Sequence, residues 1–151
     1  MKKISVVVPC YNEQEIIEET ITRLRDFADG QENYAFEFIF IDDGSSDHTF
    51  DILREAALSR SELRVLSFAR NFGHQIAVTA GLDAGSGDAV ALIDVDLQDP
   101  PEVLSEMITA GEGGYDVIYG VRRTREGESD FKLHTAQAFY RFLNRVSEVP
   151  I

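Results

Sequence analysis

Two aspartates separated by one residue, Asp94 and Asp96, are the side chains of this sequence best suited to chemistry. They follow an apolar run, 89–93, of the kind that forms a buried strand. On an extended backbone, residues two apart point to the same side, so these carboxylates can converge on one point. Such a pair shares a proton or holds a cation, and Mg²⁺ or Mn²⁺ suits it because both ions prefer oxygen ligands. The alternative is that Asp94, Asp96 and Asp99 only shape a turn before the helix that opens at 100–101.

The composition indicates one globular domain. The chain has 151 residues, of which 44% are hydrophobic, and a formal net charge of −13. So acidic a chain is a poor partner for nucleic acid, whose phosphates select basic surfaces. The single cysteine, Cys10, excludes a disulfide within the chain, favours a reducing compartment and is expected to be buried. No signal peptide is visible, and no apolar run is long enough to span a membrane.

Basic residues are concentrated near the end of the chain. Positions 122–145 hold six of the 14 basic residues and three acidic ones, a net of +3 that leaves −16 for the rest. This reversal of sign predicts a surface for an anionic partner. Within 130–148, apolar residues recur at helical spacing and cations lie among the polar positions, which suits an anionic membrane surface. The alternative is that the same apolar residues pack on the protein itself.

Apolar segments alternate with segments of helical periodicity. Strands are predicted at 4–8, where Pro9 ends the strand, and at 36–41, 64–68, 88–93 and 115–121. The helices between them are each predicted to bury one apolar face. The residues predicted to face inward are Ile17, Ile21, Leu24, Ala28, Phe50, Leu53, Ala56, Ala57, Ile76, Ala77, Ala80, Ala84, Val103, Leu104, Met107 and Ile108. Gly30, Gly85 and Gly111 are expected to end three of these helices. This alternation predicts an α/β fold with a mainly parallel sheet.

A polar cluster follows each predicted strand. Because the carboxyl ends of parallel strands meet at one edge of a sheet, where ligands bind in such folds, these clusters predict one site. That shared edge favours the metal interpretation of Asp94 and Asp96 over the turn interpretation. The clusters are 11–13, 42–47, 70–74, 94–99 and 122–123.

The cluster at 42–47 suits recognition of a base or a ribose. Asp42 and Asp43 can accept hydrogen bonds from N–H or hydroxyl groups, and Gly44 lets the backbone come close. The alternative is a turn that Asp47 closes as the N-cap of a helix. The glycine spacings of dehydrogenases and P-loop enzymes are absent, and no Ser-His-Asp or Cys-His arrangement stands out.

Four of these segments together resemble family 2 glycosyltransferases of the GT-A fold. The resemblance rests on the sequences Val7-Val8-Pro9-Cys10-Tyr11-Asn12-Glu13, Asp42-Asp43-Gly44-Ser45-Ser46-Asp47, Arg70-Asn71-Phe72-Gly73-His74-Gln75 and Asp94-Val95-Asp96-Leu97-Gln98-Asp99-Pro100-Pro101. Their order and spacing are most similar to the polyprenyl-phosphate branch, which includes dolichol-phosphate mannose synthase and bactoprenol glucosyltransferases. The resemblance implies a Rossmann-like three-layer sandwich with a mainly parallel sheet.

The resemblance also implies roles for individual residues. It places Pro9, Tyr11, Glu13 and Asp94 in the nucleotide pocket. Asp43, with the help of Asp42, reads the base in the same pocket. Asp94 and Asp96 are the catalytic pair that contacts ribose and metal, and Gln98 is an added metal contact. Arg122 lies where the family places an arginine for the donor diphosphate, and Arg123 and Lys132 are candidates for the acceptor phosphate.

The function implied is metal-dependent, inverting transfer of a hexose from a UDP- or GDP-sugar to a polyprenyl phosphate at the cytoplasmic face of the cell membrane. One alternative is a family 2 enzyme that acts on a sugar hydroxyl in polysaccharide synthesis. Another is a non-catalytic nucleotide-binding module.

The family continues beyond the equivalent of Ile151, in this branch usually with transmembrane segments. The expectation is therefore a soluble fragment, truncated at its C-terminus, of a membrane-anchored enzyme. It would comprise a nucleotide-sugar-binding domain at 1–121 and, at 122–151, a mobile basic loop with an acceptor-side or membrane-side helix of the same, incomplete domain. Such a fragment is expected to bind a nucleotide with metal but to turn over poorly.

Overall fold

The computed structural model describes residues 1–96, 98 and 100–120, and the chain divides into two units, Met1–Asp116 and Val117–Ile151. Strands and helices alternate throughout the first unit. No helix within the described ranges is long and apolar enough to cross a bilayer. The elements in chain order are β1 (Lys2–Cys10), α1 (Ile17–Asp29), β2 (Tyr34–Asp42), α2 (Thr49–Ser59), β3 (Leu63–Ser67), α3 (His74–Ala84), β4 (Ala89–Leu92) and α4 (Val103–Glu112).

The described strands form one parallel sheet in the order β3-β2-β1-β4. On one face Val6, Val8 and Phe40 belong to a core shared with α1, α2 and α4. On the other face Val7 and Ile41 pack with Ala77 of α3. The sheet therefore lies between two helical layers, which confirms the predicted α/β sandwich. Chain order reverses between β1 and β4, and crevices for ligands open at such points.

Pro9 lies within β1 and does not end it, contrary to the sequence prediction, because the strand runs on through Cys10 beside β2. The amide of Ile93 donates to the carbonyl of Val7 at 3.1 Å, so the odd-numbered residues of β1 face β4. Proline has no N–H, so Pro9 cannot extend the β4 ladder, whose pairing stops at Val7–Leu92. The chain after Leu92 is thus free to leave the sheet.

The predicted fifth strand at 115–121 is wrong for the described positions 115–120, which adopt no regular secondary structure. Alternating apolar residues raise β-propensity, but that propensity depends on packing against neighbouring strands. Position 121 lies outside the described residues.

The inward prediction for Ile76 is also wrong, since this side chain is 52% exposed. Helix α3 faces the sheet with small residues, Ala77 and Gly81, and a methyl group added to Gly81 would overlap Val7. Ile76 precedes Ala77 by one residue, about 100° around the helix, and so points away from the sheet.

Gly111 does not end α4, which continues through Glu112. The amide of Gly113 donates to the carbonyls of Thr109 and Ala110 at 3.1 and 3.0 Å, and the reversal falls at Gly114 with a φ of 99°. A later glycine in the same run therefore provides the positive φ that the turn requires.

At the amino end of the sheet, Glu37 is 6% exposed and joins several elements. Its carboxylate lies 2.7 Å from the Lys3 ammonium, and it accepts hydrogen bonds from the Ser5 hydroxyl at 2.6 Å and the Ser86 amide at 2.8 Å. Burial by itself raises the pKa of Glu37, but the hydrogen bonds from Lys3, Ser5 and Ser86 outweigh it and lower the pKa to about 2. The ionised carboxylate thus fastens β1 and β2 to the α3–β4 turn.

Replacing Glu37 with glutamine should lower the free energy of unfolding at pH 7 by roughly 2 to 3 kcal/mol. The folded-state pKa lies below the ordinary value of 4.5, so the carboxylate stabilises the fold above pH 4.5. That contribution is lost as the pH falls from 4.5 towards 2, and the two proteins should converge in stability over this range. Urea denaturation at several pH values measures the difference.

Glu62→Gln is the matched control, because Glu62 pairs with Arg25 at 3.4 Å but its side chain is 36% exposed. Exposed pairs contribute little, so this variant should stay within about 1 kcal/mol of wild type. Equal losses of stability in the two variants would show that the buried Glu37 contributes no more than the exposed Glu62.

Candidate active site

A cleft of about 540 Å³ opens beyond the carboxyl ends of β1 and β4. Its volume falls within the range of small-molecule sites. Six of the residues predicted for the site line it together: Pro9, Tyr11, Glu13, Asp43, Asp94 and Asp96. The polar turns after the four described strands therefore meet at one edge of the sheet.

The Asp94–Asp96 segment presents alternate side chains in opposite directions, as predicted. Asp94 and Asp96 are exposed and line the cleft, whereas Val95, which also borders it, is 6% exposed and belongs to the core beside α1. The backbone is a turn here and not an extended strand, since β4 ends at Leu92. The amide of Gln98 donates to Asp96 Oδ1 at 3.1 Å, so Asp96 also closes the turn that follows.

The negative potential of the cleft is visible at Glu13. Burial, and then the charges of Asp96 and Asp47, raise the pKa of this carboxyl. The cleft itself is lined by four carboxylate side chains, Glu13, Asp43, Asp94 and Asp96, and such a surface favours a cation over an unaccompanied phosphate. In the described part of the chain, no group of three or more His, Cys, Asp or Glu side chains is arranged to hold a metal ion. The exposed pair can thus supply part of the shell of a hard ion, and substrate oxygens and water must complete it.

The turns after β1 and β2 are tied together through Asn12. This residue has a φ of 57°, a conformation that asparagine tolerates better than most residues. Its side-chain oxygen accepts from the Ser46 amide at 2.8 Å, and its own amide donates to the Ser45 hydroxyl at 2.9 Å. The positions of Tyr11 and Glu13, on either side, are thereby fixed relative to β2.

Asp47 extends this junction and lies one residue before His48, the N-cap position of α2. Its carboxylate accepts from the Thr49 hydroxyl at 2.6 Å, the Thr49 amide at 2.9 Å and the Gln14 amide at 3.2 Å. Burial opposes ionisation of Asp47, but these hydrogen bonds outweigh it and lower its pKa. The Thr49 hydroxyl in turn accepts from the Glu13 amide at 2.8 Å. Asp47 is therefore structural, as the turn interpretation predicted, but the prediction that it is the N-cap is wrong by one residue.

Asp42 and Asp43 differ in their surroundings. Asp42 is 1% exposed and accepts from the Ser67 hydroxyl at 2.7 Å and the Ser45 amide at 3.1 Å, so it orders the turn. Asp43 lines the cleft, and its two oxygens accept from the amides of Phe72 and Gly73 at 2.8 and 2.9 Å. A carboxylate offers about four lone-pair sites, so Asp43 retains capacity to accept from a ligand.

Gly44 has a φ of 70°, and a methyl group there would overlap the backbone at Arg70 and Asn71. The sequence suggested that this glycine admits a ligand. In the structure the missing side chain instead lets the turn after β3 pack against Gly44, and Asp43 accepts a hydrogen bond from the Phe72 amide in that turn.

Cys10, Asn71 and His74 also line the cleft; the sequence analysis placed the cluster 70–74 at this edge but gave none of the three an individual role. Cys10 is 4% exposed, as predicted, and burial together with nearby carboxylates raises its pKa, which makes it a packing residue. His74 is the first residue of α3, and the only sequence signal for it and Asn71 was the polar turn after a strand. Arg122, Arg123 and Lys132 lie outside the described residues, as does the predicted helix at 130–148.

Comparisons with known proteins identify the family. The model of glycosyl transferase family 2 matches residues 5–149. The uncharacterized glycosyltransferase YkcC of Bacillus subtilis strain 168 is 49% identical over 97% of this chain and 45% of its own length. The bactoprenol glucosyl transferase of Shigella phage SfV is 43% identical over 96% of this chain and 47% of its own length. The chain thus spans about half the length of these relatives.

Solved structures agree with the fold. Glucosyl-3-phosphoglycerate synthase from Mycobacterium tuberculosis, in complex with UDP, superposes with a TM-score of 0.64 at 27% identity. That match covers 95% of this chain and 50% of the synthase chain. With its described strands in one parallel sheet, a cleft at the switch point and a family match over nearly its whole length, this chain belongs to glycosyl transferase family 2.

Proposed function

We propose that this chain provides the nucleotide-sugar-binding part of a metal-dependent, inverting glycosyltransferase that moves a hexose from a UDP- or GDP-sugar to a polyprenyl phosphate. The cleft that joins Asp94 and Asp96 to the turn after β1 is the observation that carries the proposal. The acceptor class is supported by the 43% identity to a bactoprenol glucosyl transferase. The donor class is supported by a family neighbour in complex with UDP.

In the proposed complex, Pro9, Tyr11 and Glu13 line the nucleotide pocket and Asp43 accepts an N–H of the base. Asp43 is suited to this because the amides of Phe72 and Gly73 hold its carboxylate in place. Asp42 stabilises the same turn through the hydrogen bonds it accepts from Ser45 and Ser67. Because these contacts exist before any ligand arrives, little ordering is required on binding.

Asp94 and Asp96, with Gln98, would hold Mg²⁺ or Mn²⁺ at the donor diphosphate. Both carboxylates are exposed, and the added charge of Glu13 makes the cleft unfavourable for a diphosphate alone. A divalent ion bound there would act as a Lewis acid on the diphosphate oxygens and orient the leaving group. The carboxylates themselves fix the position of that charge.

In the reaction, an oxygen of the acceptor phosphate forms a bond to the sugar C1 from the side opposite the diphosphate. The bond from C1 to the diphosphate breaks, and the nucleoside diphosphate leaves with the electron pair. A phosphate monoester, whose second pKa is about 6, is already ionised near neutrality and needs no strong general base. Arg122 for the donor diphosphate, with Arg123 and Lys132 for the acceptor phosphate, belong to this proposal.

The basic segment 122–145 would hold the enzyme at the anionic, cytoplasmic face of the cell membrane, where a polyprenyl phosphate is accessible. Its net charge of +3 contrasts with −16 for the rest of the chain, so attraction to an anionic surface is confined to this segment.

Replacing Asp96 with asparagine should weaken Mn²⁺-dependent UDP or GDP binding by about tenfold or more, because a charged oxygen ligand is lost. Isothermal titration calorimetry with and without Mn²⁺ measures the effect. Asp83→Asn removes the same charge from an exposed position near the far end of α3 and should bind like wild type. Undiminished binding by the Asp96 variant would mean that the acidic pair does not hold the metal.

If Asp43 accepts the imide N–H of uracil, wild type should bind UDP more tightly than N3-methyl-UDP. Asp43→Asn should lose most of this discrimination, because the amide cannot reproduce both acceptor oxygens. A loss of about 1 to 3 kcal/mol is expected for one buried hydrogen bond. Equal binding of both nucleotides by wild type would remove Asp43 from base recognition and leave it the structural role.

The chain should co-sediment with vesicles that contain anionic lipid, and less so as the salt concentration rises. Replacing both Arg141 and Arg145 with glutamine should reduce binding. Replacing Arg54 and Arg60 with glutamine removes the same charge from outside the segment, so this control should bind the vesicles almost as well as wild type. Binding that is absent or independent of salt would contradict a membrane role for 122–145.

A further inference from the structure

The hydroxyl of Thr20 connects α1 to the turn that carries Asp94 and Asp96. Thr20 is fully buried, and its Oγ1 lies 2.8 Å from the carbonyl oxygen of Val95, the residue between Asp94 and Asp96. Seventy-five positions separate the two partners, so this hydrogen bond exists only in the folded protein. It reaches the carboxylate-bearing turn from α1.

The hydroxyl has a choice of acceptors. It also lies 3.0 Å from the carbonyl of Ile16, one turn earlier in α1. That carbonyl already accepts the amide of Thr20 at 2.9 Å, as in any helix. A hydroxyl carries one proton, and the shorter contact with the Val95 carbonyl is the one that joins two parts of the fold.

Two anchors therefore hold the residue between the carboxylates. The Val95 side chain is 6% exposed and packs in the core, and its carbonyl is bonded to Thr20. With both groups fixed, the turn cannot rotate without exposing an apolar side chain or breaking a buried hydrogen bond. Asp94 and Asp96 must then remain on the cleft side.

Two further hydrogen bonds flank the pair: the amide of Ile93 donates to the carbonyl of Val7, and the amide of Gln98 donates to Asp96 Oδ1, each at 3.1 Å. Neither of them holds Val95, which lies beyond the end of β4 at Leu92, and the carboxylates on either side of it repel each other. Without an anchor, the turn could relieve the repulsion by moving the two side chains apart.

We propose that Thr20 is a positioning residue that sets the spacing of Asp94 and Asp96 for a divalent cation. This inference rests on the proposed function, in which the pair holds the metal of a nucleotide complex. Thr20 touches neither metal nor substrate, and acts through the backbone at Val95.

The helix offers a matched control. Thr22 donates to the carbonyl of Glu18 at 2.9 Å, a contact of the same spacing as that between Thr20 and Ile16, but Thr22 is exposed and does not contact Val95. Replacing either threonine with valine thus removes one hydroxyl from α1, and only Thr20→Val removes the bond to Val95.

The experiment titrates Mn²⁺ into the 151-residue chain at saturating UDP and follows free Mn²⁺ by electron paramagnetic resonance. Thr20→Val should raise the half-saturating Mn²⁺ concentration about tenfold, the lower end of what loss of an outer-shell partner costs. UDP affinity in EDTA should be unchanged. Thr20→Ser, which keeps the hydroxyl, should titrate like wild type, and so should Thr22→Val.

The outcomes are distinguishable. A Thr20→Val curve that coincides with wild type overturns the proposal, as does a Thr20→Ser protein that remains folded but binds Mn²⁺ as weakly as Thr20→Val. If Thr20→Val loses its near-ultraviolet circular dichroism, Thr20→Ala repeats the test without the added methyl group. If neither folds, a wild-type-like titration of Thr20→Ser supports the proposal and a weakened one overturns it. Wild type that binds no Mn²⁺ in the presence of UDP would instead contradict the proposed function.

Discussion

The site depends on where the hydrogen-bond ladder between β1 and β4 stops. Pro9 lacks the N–H that would continue it, so pairing ends at Val7–Leu92 although β1 itself runs on beside β2. The two strands lie at the point where the chain order of the sheet reverses. Since β4 leaves the sheet there, Asp94 and Asp96 turn towards the gap and a cleft opens beside the turn after β1.

Once the strands separate, side chains must replace the lost ladder. Asn12 and Asp47 bind the turn after β1 to the turn after β2, and Asp43 binds the turn after β3. Thr20 does the same for the turn after β4. Among the described residues, every buried side-chain nitrogen or oxygen has a hydrogen-bond partner. The floor of the cleft is therefore built from satisfied polar groups, and its exposed carboxylates are the groups left for a ligand.

At the two ends of the sheet, the pKa of a glutamate is shifted in opposite directions. At the amino end, Glu37 is buried, but a lysine and several donors lower its pKa. At the carboxyl end, burial and the neighbouring charges of Asp96 and Asp47 raise the pKa of Glu13. The first arrangement stabilises the fold with no outside partner. In the second, a cation bound as proposed would offset the repulsion between the carboxylates.

Local patterns in the sequence were enough for the alternating elements, the parallel sheet, and the gathering of polar turns at one edge, because periodicity and strand direction decide all three. The spacing of Asp94 and Asp96 also predicted that their side chains point away from that of Val95. Tertiary packing alone decided the rest. Gly81 brings α3 so close to the sheet that Ile76 faces away from it, and 115–120 forms no strand despite its apolar alternation. Asp42 and Asp43 are both buried, but only Asp43 borders the cleft, and Thr20 bonds to a partner 75 positions away. These outcomes depend on contacts between segments distant in the chain, which no local spacing encodes.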